Sequence, residues 1–246
     1  MKVLVLVLIL ILGLNACTSK NNQTIAPKEE SFVGIMNDEL IYQGEITQIS
    51  NTIIFKSFMQ AEIKPDKLII SSHGGDISLG MELGSWVKDN NLDIEVSNIC
   101  ASSCANYVFP AGNKKYLRKD SVLIWHGSAW QQSWDTDDLP KDFQSSYLTP
   151  IRMKETMLLD RFGVDNLITV YGQINKNVFN HILFLFGQNK DGWDYSLKDI
   201  HRFGITNIIL IDEEWNWRKY RPSQSSQVKR FTVDDDYKFK LRRFEM

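Results

Sequence analysis

The sequence predicts an α/β domain with a mostly parallel sheet. Short apolar runs that end in small or polar residues alternate with segments of helical spacing, a pattern typical of parallel strands joined by crossover helices. The clearest apolar runs are Lys67 to Ser71, Ile94 to Val96 and Val122 to Ile124. Because each run leads into a turn, a helix-like segment or a loop, we expect the residues that follow these strands to project from one edge of the sheet.

The chain begins with a predicted export signal. Lys2 precedes a continuous apolar run from Val3 to Leu14, which is too short to span a bilayer and has the shape of a secretory signal. The tetrapeptide Leu14-Asn15-Ala16-Cys17 resembles a bacterial lipobox, in which the cysteine is lipidated. We therefore expect a lipoprotein signal peptide over 1–17 and a membrane anchor at Cys17. An ordinary signal peptide, cut nearby with Cys17 incidental, stays open.

Composition and charge narrow the class of protein further. Residues 18–31 are polar and predict a flexible tether. Thr18 rather than an aspartate follows the lipobox, which in a Gram-negative host implies the outer membrane, facing the periplasm.

The chain has 28 Lys and Arg against 30 Asp and Glu, so a nucleic-acid partner is not predicted. Neither a Walker-type phosphate loop nor a metal-ligand spacing is present in the sequence, so we expect no ATP, metal or other cofactor.

The remaining elements follow from periodicity and turn residues. We expect the folded part to begin near Phe32 and to end in a charged C-terminal extension over 212–246. The predicted elements are a strand with its turn at Leu40–Ile46, helices at Thr52–Ala61, Ile77–Val87, Tyr147–Phe162, Val164–Tyr171 and Asn177–Phe186, and a last strand at Ile205–Ile211. In the extension, Lys229–Val233 and Tyr237–Leu241 are expected to pair as a hairpin.

Three motifs follow the three clearest strands. Ser72-His73-Gly74-Gly75 follows the first, Cys100-Ala101-Ser102-Ser103-Cys104 follows the second, and His126 follows the third. A serine, a histidine to activate it and backbone amides for an oxyanion are the parts of a serine hydrolase. The sequence therefore predicts acyl transfer to water at this edge of the sheet.

The stretch from Leu68 to His126 resembles the serine peptidases of the Clp protease and crotonase superfamily, in particular Clp-like proteins found outside the cytoplasm. The resemblance implies a fold of repeated β-β-α units over 32–211. In that family a strand ends in Ser-Pro-Gly-Gly, and the second glycine supplies an oxyanion amide. Here His73 replaces the proline, and Gly75 is the matching donor.

The same resemblance implies the catalytic residues. The family places its nucleophile at a strand-to-helix elbow, nine positions before a glycine, and Ser103 stands nine before Gly112 (112 − 103). By that match Ser103 is the nucleophile, and the amide of Cys104 is the second oxyanion donor. The base ends a strand about two dozen residues later, and His126 lies 23 residues after Ser103 (126 − 103).

The acidic member of the triad is the least defined part of the match. The family has an acidic residue shortly before a helix that Ser196–Gly204 matches, and Asp191 and Asp194 both precede that helix. We favour Asp191, in a Lys-Asp-Gly turn, with Asp194 as the alternative. Either residue can instead be an ordinary turn or capping residue, which leaves a Ser-His dyad open.

Cys100 and Cys104 flank the predicted nucleophile. After export they would meet an oxidising compartment and could form a disulfide that braces the elbow. The alternative is that both are small buried residues chosen for packing.

His73 is a candidate substrate contact or a solvated histidine. Trp130 and Trp134 are candidates for a substrate groove or for oligomer contacts.

The sequence as a whole is interpreted as a lipid-anchored, extracytoplasmic serine peptidase that acts on peptides or proteins without ATP. The resemblance also implies a homo-oligomer. The competing interpretation is a non-catalytic lipoprotein that uses this fold as a binding or assembly module. A crotonase acting on acyl-CoA fits poorly, because coenzyme A is not expected outside the cytoplasm.

Overall fold

The structure is a computed structural model that describes residues 31–134, 138–174 and 192–239. The predicted signal peptide with Cys17, nearly all of the tether, the predicted helix Asn177–Phe186 and Asp191 lie outside these residues. No helix among the described residues combines the length and the apolar character needed to cross a membrane.

A mostly parallel sheet forms the centre of the molecule. Its strands are β1 Phe32–Met36, β2 Glu39–Gln43, β3 Lys67–Ser72, β4 Asp93–Ala101, β5 Lys115–Leu117, β6 Val122–Ile124 and β8 Ile208–Leu210, whereas β7, Gly192–Tyr195, lies outside this sheet. Their spatial order is β1-β2-β3-β4-β5-β8, and β6 also pairs with β4. Among these described strands β1 and β2 pair antiparallel, and all other pairs are parallel. The predicted α/β class with a mostly parallel sheet is confirmed.

Strand β4 holds the sheet together because it pairs with three strands. It lies beside β3 along most of its length, β5 pairs with Ile94–Val96, and β6 pairs with Ile99–Ala101. Cys100 belongs to the main core, whereas Ile99 and Ala101 belong to a separate apolar cluster. Since successive side chains of a strand point to opposite faces, the end of β4 is buried on both faces.

The α-helices connect and cover the strands. They are α1 Gln48–Gln60, α2 Ile77–Asp89, α3 Lys141–Phe143, α4 Thr149–Phe162, α5 Tyr171–Ile174, α6 Leu197–Arg202, α7 Trp217–Tyr220 and α8 Pro222–Ser225. Helix α1 begins before the predicted Thr52, because the Thr47 side chain accepts a hydrogen bond from Ser50 N and caps it there. The helix predicted over Val164–Tyr171 is instead a 3₁₀ turn at Asn166–Thr169 that leads into α5.

The C-terminal extension packs on the face of the sheet that carries Ile99 and Ala101. Trp217 and Val228 are buried against these residues. Strand β9, Val228–Phe231, pairs in parallel with β7, Gly192–Tyr195. The predicted hairpin is therefore wrong over its described part. The first half of the predicted hairpin pairs with β7 instead. Tyr237 N donates a hydrogen bond to Asp234 O in a turn.

Candidate functional site

The site is built around a sharp elbow at the end of β4. The strand ends at Ala101, Ser102 has a backbone φ of 56°, and Ser103 returns to a helical φ of −55°. A π-helix follows over Cys104–Val108, with Phe109 N bonded to Cys104 O. The two serines of the motif therefore lie at the point where the chain leaves the sheet.

The glycine pair after β3 packs directly against this elbow. Gly74 has a φ of 95°, and a Cβ on it would lie 2.7 Å from both Ala101 O and Ser102 Cβ. A Cβ on Gly75 would overlap the backbone of Ile46. Since a side chain fits at neither position, both glycines are needed for the turn to reach the elbow.

The hydroxyl groups of the two serines have different surroundings. Ser103 is 1% exposed, and its hydroxyl donates a hydrogen bond to Gly75 O at 2.8 Å. Ser102 is partly exposed, and its hydroxyl makes no hydrogen bond to any described residue. The predicted nucleophile Ser103 thus lies beside the predicted oxyanion turn, with its hydroxyl bonded to the turn's carbonyl oxygen.

His126 lies next to the elbow across a parallel strand pair. Ala101 pairs with Ile124, and Ser102 N donates to Ile124 O at 3.0 Å, two residues before the histidine. His126 is accessible to solvent, and the protein around its imidazole lowers its pKa by burial. A lowered pKa favours the neutral form of the ring, which is the form that a general base needs. Within the described residues, the imidazole is hydrogen-bonded to neither serine, a common situation in unliganded sites.

The two acidic candidates differ in their surroundings. Asp191 lies outside the described residues and stays a prediction. The next residue, Gly192, starts β7 opposite the histidine: a Cβ there would lie 3.5 Å from His126 Cβ. Asp194 is fully buried and accepts hydrogen bonds from Trp217, Arg218 and Arg230, all in the C-terminal extension. Its carboxylate thus fixes the extension to β7.

The cysteines and the aromatic candidates also have defined places. Cys100 and Cys104 form a disulfide, with their Cα atoms 5.2 Å apart, so the pair spans the elbow. His73 is exposed beside the glycine turn. The guanidinium of Arg152 lies 4.6 Å from the centre of the Trp130 ring. Trp134 is partly exposed and packs on Phe143 and Tyr147, with centroids 6.0 and 6.2 Å apart.

One buried carboxyl group near the site was missed from the sequence. Glu155 is fully buried in α4, and its Oε2 accepts hydrogen bonds of 3.0 Å from the Tyr107 hydroxyl and from Ala129 N. Burial raises its pKa to about 7, although hydrogen bonds from Ser128, Ala129, Tyr107 and Thr169 act against this. The signal in the sequence is a glutamate at helical spacing between Ile151 and Leu158, on the apolar face of a predicted helix.

No group of histidine, cysteine or carboxylate side chains in the described part of the chain is arranged to hold a metal ion. The arrangement instead places a serine pair, a histidine and a glycine turn at one sheet edge. These groups are the ones that acyl transfer requires.

Of three comparisons with known proteins, the search of solved structures finds similar chains. A scan against protein-family models finds no match, and a search of curated proteins finds no significant match. Among solved structures, ClpP1 from Listeria monocytogenes is similar with a TM-score of 0.44 and 16% identity, over 70% of this chain and 89% of that chain. A point mutant of the same protein gives a TM-score of 0.45 and 16% identity, over 70% and 90%.

Proposed function

We propose that this chain is a serine hydrolase that cleaves peptide bonds by acyl transfer, and that it does so outside the cytoplasm, anchored to a membrane through Cys17. The observation that carries the proposal is the contact between three strand ends. The glycine turn after β3 touches the serine elbow after β4, and a backbone bond of 3.0 Å joins that elbow to β6 just before His126.

The proposed reaction uses these groups in sequence. The hydroxyl of one of the two elbow serines attacks the peptide carbonyl carbon while its proton passes to His126. The carbonyl oxygen becomes an oxyanion that the Gly75 amide and the amide of the residue after the nucleophile stabilise. The C–N bond breaks as His126 returns the proton to the leaving amine. Water then hydrolyses the acyl-enzyme, again with His126 as base.

The direction in which the pKa of the histidine is shifted supports this role. A base must be neutral before the attack, and burial lowers the pKa of His126. The imidazolium that forms during the attack needs a partner, and we propose that Asp191 provides it. The alternative without an acid is a Ser-His dyad.

A non-catalytic binding module is the second candidate function. It is favoured by the bond from the Ser103 hydroxyl to Gly75 O, which keeps that hydroxyl away from a base. On this alternative the fold serves to bind or assemble with a partner, and no serine is activated.

Covalent labelling by a fluorophosphonate probe separates the two candidates. The full chain in detergent is treated with the probe, alongside the double variant Ser102→Ala/Ser103→Ala and the variant His126→Ala. We expect the double variant to lose labelling and His126→Ala to label at least about 10²-fold more slowly, since it lacks the general base.

His201→Ala is the matched control, because His201 is exposed on α6, in another part of the fold. It should label like the wild type. A folded wild type that the probe does not label contradicts the hydrolase and favours the binding module.

A further inference from the structure

The two serines of the elbow differ in backbone strain. Ser102 lies in the left-handed region with a φ of 56°, which is unfavourable for a residue with a side chain. Most other described residues with a side chain and a positive φ are Asn or Asp, which tolerate this region. Strain of this kind persists where the surrounding fold imposes it, and it is concentrated at functional sites.

The serines also differ in what their hydroxyls can do. The Ser103 hydroxyl is enclosed: a Cβ on Gly80 would lie 2.6 Å from Ser103 Cβ, and the hydroxyl donates its proton to Gly75 O. A substrate carbonyl cannot reach it without displacing the turn. The Ser102 hydroxyl is on a partly exposed residue and bonds no described group, so it is available for attack.

The choice of Ser103 as nucleophile depends on its spacing of nine residues from Gly112, and a π-helix lies within that stretch. A π-helical turn contains one more residue than an α-helical turn, because its hydrogen bond spans five residues instead of four. The count from Ser102 to Gly112 is ten, and it crosses the π-helix at Cys104–Val108. A 3₁₀ turn at Phe109–Ala111 follows within the same stretch, so a spacing taken from a regular helix does not decide between the two serines here.

We propose that Ser102, not Ser103, is the nucleophile, and that the amide of Ser103, not that of Cys104, is the second oxyanion donor beside Gly75. The Ser103 amide nitrogen lies beside the glycine turn, because a Cβ on Gly74 would be 2.9 Å from it. The Ser103 hydroxyl then has a positioning role, because its bond to Gly75 O holds the turn against the elbow. This assignment rests on the proposed hydrolase and identifies its reacting atom, the Ser102 Oγ.

Single variants of the full chain in detergent test the assignment with the same fluorophosphonate probe. The Ser102→Ala variant should label at least about 10³-fold more slowly than the wild type, because the attacking oxygen is gone. Ser103→Ala loses the hydroxyl that bonds Gly75 O and holds the turn, so it should label more slowly than the wild type but by no more than about tenfold. His201→Ala, outside the site, is the control that should label like the wild type. Fragmentation of the labelled peptide should place the phosphonate on Ser102.

The Ser102→Gly variant separates a catalytic role from a structural one. Glycine adopts a φ of 56° without strain, so this variant should unfold about 2 to 4 °C above the wild type while it fails to label. Loss of labelling with a gain in thermal stability is not expected of a residue that only supports the fold.

The possible outcomes distinguish the assignment from the function. A labelled wild type with the adduct on Ser103, or a Ser102→Ala variant that labels normally, overturns the assignment and leaves the hydrolase in place. A folded wild type that does not label contradicts the proposed hydrolase function, and with it the assignment of Ser102 as nucleophile. An adduct on Ser102 together with a labelled Ser103→Ala variant supports both.

Discussion

Two glutamates of this fold, Glu95 and Glu155, are almost completely buried, and their surroundings shift their pKa values in opposite directions. Burial acts to raise the pKa of Glu95, but Lys67 at 2.6 Å and Arg118 outweigh it and lower the pKa. Burial also raises the pKa of Glu155, and only neutral donors oppose it, so the pKa reaches about 7. The difference shows that the partners, not the burial, decide whether a buried carboxyl stays charged.

The two glutamates also lie at different distances from the candidate site. Glu95 lies in the first half of β4, six residues before Ala101 (101 − 95), and stabilises the strands by bonding Lys67 of β3. Glu155 bonds Tyr107 of the π-helix that follows the elbow, and Ala129, three residues after His126. Glu155 thus links the segment that follows the serines to the loop that follows the histidine, and its protonation state bears on the site.

The largest expected effect is the loss of the Glu155 side chain. Glu155→Ala leaves the Tyr107 hydroxyl and Ala129 N without a buried acceptor and opens a cavity, so we expect the free energy of unfolding to fall by about 3 to 5 kcal/mol. The matched variant Glu95→Ala should cost only about 1 to 2 kcal/mol, because Lys67 and Arg118 are 30% and 48% exposed and can regain water. Urea unfolding at pH 6 measures both, and equal losses would contradict the comparison.

A smaller effect is expected from the titration of Glu155. Its pKa is raised from 4.5 to about 7 in the folded state, so its contribution to stability is fully present below pH 4.5 and is lost as the pH rises to about 7. The loss amounts to roughly 3 kcal/mol. Glu155→Gln cannot titrate, so its free energy of unfolding should lack this decline. Urea unfolding between pH 5 and 8 tests this, and parallel pH profiles for the two proteins would rule the titration out.

The sequence predicts the part of the site that depends on local signals. The strands before Gly74, Ser102 and His126 are apolar runs closed by turn residues, and parallel strands bring such ends to one edge. The contacts of the glycine turn with the elbow agree with that expectation. Spacing along the chain, however, assumes a regular helix. The π-helix after Cys104 has no signature in residue type, so the sequence could not indicate which of the two serines faces solvent.

The C-terminal extension could not be placed because its partners are distant in sequence. Its charged sequence is compatible with a mobile end or with a partner-binding appendage, yet Arg218 and Arg230 pair with the buried Asp194, and Trp217 is buried beside them. Local alternation suggested a hairpin around Asp234. Pairing of β9 with β7 is more favourable, because it buries Val228 and Phe231 in the body of the protein, whereas a hairpin at the surface would leave them exposed.

The smallest expected effect concerns the charge of Glu95 and its contribution to the free energy of unfolding. Its pKa is lowered in the folded state, so its contribution to stability is present above pH 4.5 and is lost as the pH falls through the lowered value. Glu95→Gln keeps the shape but loses the charge that Lys67 and Arg118 face, so we expect a loss of about 1 kcal/mol at pH 6. The variant and the wild type should converge as the pH falls towards 3. Should the gap between them widen on acidification instead, Glu95 is not charged in the folded protein, and the contrast with Glu155 fails.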